Sequence, residues 1–261
     1  MSERRIVILG AGMAGFGAAH RLGQEGIRPV LYEAGPWIGG HTATHAYPDG
    51  FAFDEGPHVS FTANERLQAL FARAVDGRFE RVQAYVNNHW RGHWFKHPVQ
   101  VNLHGLPADL VARCIADFVA ASRATGPAAA NYEEWLRATF GHTIAEVFPM
   151  PYARKYHTTE AANLTTDWLG PRIYRPSIEE VLRGAREAEP LDVHYVDRFR
   201  YPTEGGFGAY LAPLRDLAEC RCGHRVAAID PVAKVLTFAD GTAAPYGALV
   251  TSFPLPVLVP M

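Results

Sequence analysis

Residues 5–17 read R-I-V-I-L-G-A-G-M-A-G-F-G. Arg5 to Leu9 is a short β-branched run that leads straight into glycines, the pattern of a strand buried on both faces in a parallel sheet. Gly10, Gly12 and Gly15, with Ala11, Met13 and Ala14 between them, make a G-x-G-x-x-G turn. The first glycine permits a sharp turn, the second lets a diphosphate approach the backbone, and the third lets the next helix pack on the strand. The small residues from Gly12 to Gly23 suit such a helix, whose N-terminus offers N–H donors and partial positive charge. Pro29 to Tyr32 is a second apolar run that ends at Glu33, 23 positions after Gly10. An acid so placed can bind ribose hydroxyls. Strand, glycine turn, helix, strand and acid form one βαβ unit, and the unit predicts dinucleotide binding. An acid at position 33 argues against a 2′-phosphate on the ligand. The pair Gly39-Gly40 lets a second loop approach the same diphosphate.

The rest of the composition is that of a globular chain long enough for one large or two modest domains: 261 residues, 48% hydrophobic, 20% charged, formal charge −2. This balance carries no basic footprint for nucleic acid and no polybasic membrane patch. No window reaches the ~20 uninterrupted apolar residues of a membrane span. The arginines before the first apolar run resemble a signal peptide's opening, but the glycines interrupt it and no cleavage site follows. Cys114, Cys220 and Cys222 are too few and too oddly spaced for a disulfide framework, so a cytoplasmic location is expected.

Beyond Glu33, loops rich in Gly, His and Pro are expected from Gly35 to His58. Asn64 can cap a helix with Leu67, Leu70, Phe71 and Ala74 on one face and Gly77 at its end. Pro107 suits the first position of a helix striped by Leu110, Val111, Cys114, Ile115 and Phe118. Asn131 with Glu134, and Ser177 with Glu180, match capping boxes. Residues 125–130, T-G-P-A-A-A, read as an exposed linker. Phe207 to Leu217 suggests a helix, Val226–Ile229 and Val235–Phe238 paired strands, and Ala248–Phe253 a further strand. The expected organisation is an α/β nucleotide domain made of residues 1–62 and 205–261, with a mostly helical substrate domain, residues 63–204, inserted between them. An open parallel sheet needs cover on each strand, and the chain stops just after an apolar one. The ending therefore reads as premature, with exposed sheet at Leu249 and Val250 that would favour a homo-oligomer.

The segment E-A-G-P-W-I-G-G-H-T, residues 33–42, resembles the region after the second strand in flavoproteins of the amine oxidase and protoporphyrinogen oxidase superfamily, to which the UDP-galactopyranose mutases are related. F-D-E-G-P-H-V-S-F, residues 53–61, is similar to the loop beside the flavin in these proteins, with Gly56, Pro57 and His58 matching the mutase's Gly-Pro-His stretch. Residues 151–160, 170–176 and 196–207 resemble the mutase's substrate-side segments. The resemblance implies a Rossmann-like FAD/NAD(P)-binding fold with FAD as cofactor. It assigns Gly10, Gly12, Met13, Ala14, Gly15, Glu33, Gly39, Gly40, His41, Gly56, Pro57, His58 and Val226 to the cofactor, Val226 through its backbone at the adenine. His41 stands where the family often carries Arg, Lys or Asn. His58, Arg172 and Arg175 are the implied residues toward the reacting groups. The family's C-terminal segment, which completes the flavin site, is not found in the sequence.

Three functions are then open. One is a flavin oxidoreductase in which a small substrate passes hydride from a C–H bond next to N or O to flavin N5, the cofactor supplying the hard chemistry. Another is a redox-neutral isomerase resembling the mutase, acting on a nucleotide sugar whose phosphates Arg172 and Arg175 would clamp. The third is a truncated flavin-binding protein without catalysis. Metal is not expected. His89, His93 and His97 recur every four residues, but Gly92, bulky aromatics and Pro98 make the stretch a hairpin rather than a ligand-bearing helix face. Cys220-x-Cys222-x-His224 lacks a second half. No G-x-S-x-G elbow is present, which argues against a serine hydrolase.

Overall fold

The computed structural model describes residues 5–170, 173–188, 193 and 196–261. In chain order the strands are β1 (Ile6–Leu9), β2 (Val30–Tyr32), β3 (Thr44–Ala46), β4 (Ala52–Asp54), β5 (Phe79–Gln83), β6 (Asn87–Trp90), β7 (His93–Lys96), β8 (Arg198–Pro202), β9 (Glu219–Arg221), β10 (Val226–Asp230), β11 (Val235–Phe238), β12 (Ala243–Pro245) and β13 (Ala248–Thr251). The helices are α1 (Met13–Gly23), α2 (Glu65–Ala74), α3 (Ala108–Arg123), α4 (Tyr132–Phe140), α5 (His142–Val147), α6 (Pro149–His157), α7 (Ile178–Arg186) and α8 (Leu255–Leu258). Two compact units result: Met1–Val82 with Arg198–Met261, and Gln83–Asp197.

The first unit is built on a parallel sheet of order β13-β1-β2-β9. Its alternation explains the apolar runs. Val7, Leu9, Val30 and Tyr32 face one way, onto the antiparallel sheet β10-β11-β12 through Val226, Leu236, Phe238 and Tyr246. Ile8 and Leu31 face the other way, onto Phe16 and Ala19 of α1 and onto Leu211 and Leu214. Side chains of period two thus feed two cores from the same strands. Phe207–Leu217 is a 3-10 stretch rather than an α-helix, because Pro213 inside it cannot donate the α-helical hydrogen bond.

The region from Gly35 to His58 holds the hairpin β3–β4 where loops were expected. Its anchor is Asp54. One carboxylate oxygen accepts from Thr44 Oγ1 at 2.5 Å and from Phe207 N at 3.0 Å, and the other accepts from Tyr201 Oη at 2.5 Å. Gly208 N donates in turn to Thr44 Oγ1 at 2.8 Å. Residues 63–82 and 198–204, expected in the insertion, lie in the first unit, because β5 pairs with β8 and α2 packs Phe71 against Tyr210. Asn64 caps α2 as its spacing predicts, accepting from Leu67 N at 3.2 Å.

The second unit carries the hairpin β6–β7 followed by helices α3 to α7. The histidine-rich stretch is therefore a hairpin, turning at Arg91-Gly92 with φ of +47° and +87°. Leu110, Cys114 and Phe118 of α3 bury one face against Leu136, Phe140, Ile144 and Val181. Pro107 is the cap before α3 rather than its first residue. Asn131 caps α4, and Ser177 with Glu180 forms the full reciprocal box at α7. Residues 125–128 run exposed without regular structure. Among the described residues no helix is long and apolar enough to cross a membrane.

Tyr210 is 1% exposed and stacks on Phe71 at 4.8 Å, yet its hydroxyl has no hydrogen-bond partner among the described residues. A buried unpaired hydroxyl costs about 1–3 kcal/mol, so Tyr210→Phe is expected to be neutral or stabilising by up to roughly 2 kcal/mol. Urea denaturation of the two proteins checks this. A loss of stability in the variant would show that the hydroxyl is paired.

Candidate functional site

The site is assembled where β1 and β2 end. Gly10 leaves β1 with φ +97° and donates its N–H to Tyr32 O at 2.8 Å, which ties the turn to the second strand. Gly12 is the extended N-cap of α1, with no side-chain cap and no acid in the first turn. The first N–H groups of an α-helix, here those of Met13, Ala14 and Gly15, have no acceptor within the helix and face outward with partial positive charge. Gly15 admits no side chain, since a Cβ there would strike the Gly10 carbonyl oxygen. Gly12 is different. A Cβ on it would have Gly39 O as its nearest neighbour among the described residues, 4.0 Å away, so the protein's own packing does not demand a glycine. Room without a protein occupant, above a helix N-terminus, fits an approaching diphosphate.

The second glycine pair docks against this turn. Gly39 N donates to Ala11 O at 2.7 Å, Gly12 and Gly39 bridge in parallel, and Gly39 and Gly40 take φ of +113° and +53°. A Cβ on Gly40 would lie 3.3 Å from Gly12 Cα. His41 follows in the 3-10 turn Gly40–Thr42 and is exposed. Glu33, at the end of β2, accepts from Ala11 N and from Gly35 N, each at 2.8 Å. Its carboxylate is thereby fixed beside the turn, with further lone pairs for sugar hydroxyls. Its carbonyl accepts from His224 N at 2.8 Å, which brings the start of β10, and so Val226, toward the same end of the sheet.

Gly56, Pro57 and His58 lie on the loop after β4. His58 Nδ1 is 3.0 Å from Gly56 O, and its ring sits 5.5 Å from that of Phe207. Phe207 shares a cluster with Met13 of α1, so this loop and the helix N-terminus meet through one apolar contact set. Arg175 belongs to the second unit, where its guanidinium lies 5.0 Å over the Trp135 ring. Arg172 lies outside the described residues. Sequence reading missed the Thr44–Asp54–Tyr201 anchor; its signal was an acid in a short alternating strand, paired with a distant Tyr before Gly205-Gly206. It also missed Ser252, which follows β13 and donates from Oγ to Leu9 O at 3.0 Å, packing against Gly10.

The cysteines take no part. Burial pushes the Cys114 thiol up to about 11 and raises Cys220 and Cys222 as well, which disfavours a thiolate. Among the described residues no group of His, Cys, Asp and Glu could hold a metal ion.

Residues 8–74 match a family model described as an NAD(P)-binding Rossmann-like domain. The 15-cis-phytoene desaturase of Arabidopsis thaliana is 35% identical over 89 residues, covering 34% of this chain and 14% of that protein. The 4,4'-diaponeurosporene oxygenase of Staphylococcus haemolyticus is 41% identical over 59 residues, 23% of this chain and 12% of the oxygenase. A crystal structure of reduced UDP-galactopyranose mutase matches 98% of this chain and 57% of its own, with a TM-score of 0.90 and 30% identity. The chain thus spans little more than half the length of the mutase and a small part of the desaturase. The class is a dinucleotide-binding α/β protein of Rossmann type. Within it, the chain is similar to UDP-galactopyranose mutase over nearly its whole length, in line with the resemblance at residues 33–42 and 53–61.

Two outcomes are expected from this geometry. Gly15→Ala should destabilise by about 2–4 kcal/mol, the range for a backbone clash in a packed turn. Gly12→Ala, at φ −82°, should change stability by less than about 1 kcal/mol; thermal melts compare the two. The Tyr201 hydroxyl, first by burial and then by its bond to Asp54, is pushed up from 10.0 to about 12. A raised folded value means its contribution is whole below pH 10 and is lost as pH rises through about 12. Stability should therefore fall more steeply across that window in the parent than in Tyr201→Phe, as denaturant midpoints measure.

Proposed function

We propose that the chain binds FAD in its first unit and serves a flavin-dependent enzyme of the UDP-galactopyranose mutase type, acting on a nucleoside-diphosphate sugar with no net redox change. The observation that carries this reading is the match to the mutase over 98% of the chain at 30% identity. The residues present suit the cofactor. Gly10 to Gly15 and the Gly39-Gly40 pair leave open backbone for its diphosphate, and the carboxylate of Glu33 is held for a ribose. Val226 would meet the adenine through its backbone, with His41 and the Gly56-Pro57-His58 loop toward the flavin end. FAD, when bound, supplies two-electron chemistry at its ring.

The chain's own part is orientation and charge. His58, held by Gly56 O through Nδ1, keeps Nε2 as the nitrogen available to a reacting group. Arg175, exposed above Trp135, and Arg172 would hold the substrate's phosphates, since guanidinium forks match phosphate oxygens. A second reading, hydride transfer from a small substrate, is favoured by the desaturase and oxygenase matches, which cover 34% and 23% of the chain.

Purified protein incubated with FAD and desalted should keep a flavin spectrum near one equivalent per chain, and Gly12→Val should lose it. A colourless parent protein would sink both readings. With bound flavin, conversion of UDP-galactopyranose to a ring-size isomer that needs pre-reduced flavin but consumes no reductant supports the mutase type. Net flavin bleaching by substrate supports the oxidoreductase.

A further inference from the structure

A third segment reaches the glycine turn, and none of the roles above uses it. β13 runs beside β1 in parallel register, with Leu9 opposite Thr251. The ladder ends on Ser252, whose N–H donates to Leu9 O at 2.9 Å, and this last rung fixes where the Ser252 side chain stands. Its Oγ donates to Leu9 O at 3.0 Å and to Gly10 O at 3.3 Å, one hydroxyl hydrogen shared between two carbonyls. A Cβ on Gly10 would lie 2.5 Å from that Oγ. The hydroxyl therefore stands in the space a side chain at position 10 would need.

The Gly10 carbonyl and the Ala11 N–H belong to one peptide unit, which is planar and points these two groups in opposite directions. Ser252 holds one end of that unit and Glu33 the other, since Ala11 N donates to Glu33 Oε2 at 2.8 Å. Gly10, at φ +97°, has no side chain to resist rotation of this peptide. Rotation would swing the Ala11 N–H off the Glu33 carboxylate. It would also move the Gly10 carbonyl oxygen, which packs under α1 so closely that a Cβ on Gly15 would meet it at 2.0 Å. One peptide thus governs both the acid held for a ribose and the start of α1.

We propose that Ser252 is a positioning residue of the dinucleotide cradle: its hydroxyl clamps the Gly10–Ala11 peptide, so that Glu33 and the N-terminus of α1 meet a nucleoside diphosphate in one geometry. The proposal rests on the reading of the glycine turn as a diphosphate site, and it holds whichever dinucleotide sits there. The test is ADP titration of the full chain by calorimetry. Ser252→Ala should weaken ADP about three- to tenfold, the size of one lost hydrogen bond. Ser252→Thr keeps the hydroxyl and should bind as the parent does. In a Glu33→Gln background the Ser252→Ala change should cost less than it does in the parent, because groups acting on one peptide are not additive. Without ligand, the Ala11 amide should exchange with solvent faster in Ser252→Ala, while the amides of α3 in the other unit keep their parent rates. Ser252→Cys, with a weak donor of similar size, serves if Ser252→Ala does not fold. A lowered melting temperature with unchanged ADP affinity, or full additivity with Glu33→Gln, would overturn the proposal. A parent chain that bound no ADP would overturn it together with the diphosphate reading, whereas one that bound ADP but kept no flavin would fail the cofactor reading alone.

Discussion

The backbone of α1 approaches the end of β1 so closely that Gly15 has no space for a side chain against the Gly10 carbonyl. The rest of the first unit depends on that approach. It places the open N-terminus of α1 at the carboxyl ends of β1 and β2, where open α/β sheets bind ligands. Gly10 then reaches Tyr32, Gly39 reaches Ala11, and Glu33 reaches both Ala11 and Gly35. A side chain at Gly15 would push the helix off the strand and move all of these donors and acceptors together.

A second anchor serves the loops. Asp54 accepts three hydrogen bonds, from Thr44, Tyr201 and Phe207, and so joins the hairpin β3–β4 to strand β8 and to the 3-10 stretch that covers the sheet. Bonds to a charged acceptor contribute about 1.5–3 kcal/mol each, more than neutral ones, and three on one carboxylate restrict how its partners move. The loop carrying Gly56, Pro57 and His58 starts two residues after this anchor. Its position is therefore inherited from a half-buried polar contact rather than from its own sequence.

The two catalytic readings share one cradle and differ in what lies beyond it. The desaturase and oxygenase matches are short, 34% and 23% of the chain, and the Rossmann-like match covers residues 8–74, the glycine turn and its surroundings, which any flavin or nicotinamide chemistry could use. The mutase match runs through the helical second unit as well, where Arg175 and the aromatic residues around it lie. Fold alone does not choose a reaction; the groups set around the substrate do. This is why the whole-length match weighs more than the higher local identity.

Much of the cradle was legible in residues 5–40, because each element there is local. A β-branched run, glycines at fixed spacing and an acid on the next strand act within one βαβ unit, and the packing of neighbours in sequence decides them. The caps at Asn64, Asn131 and Ser177 were legible for the same reason. What only the tertiary structure decided is what joins distant segments: Cys220 on a strand beside β2, Ser252 at Gly10, and Tyr201 at Asp54. These contacts span tens to hundreds of residues, and their side chains carry no periodic mark. Hydrophobic pattern records which face a residue turns to the core. Which polar partner waits there is settled only when the strands come together.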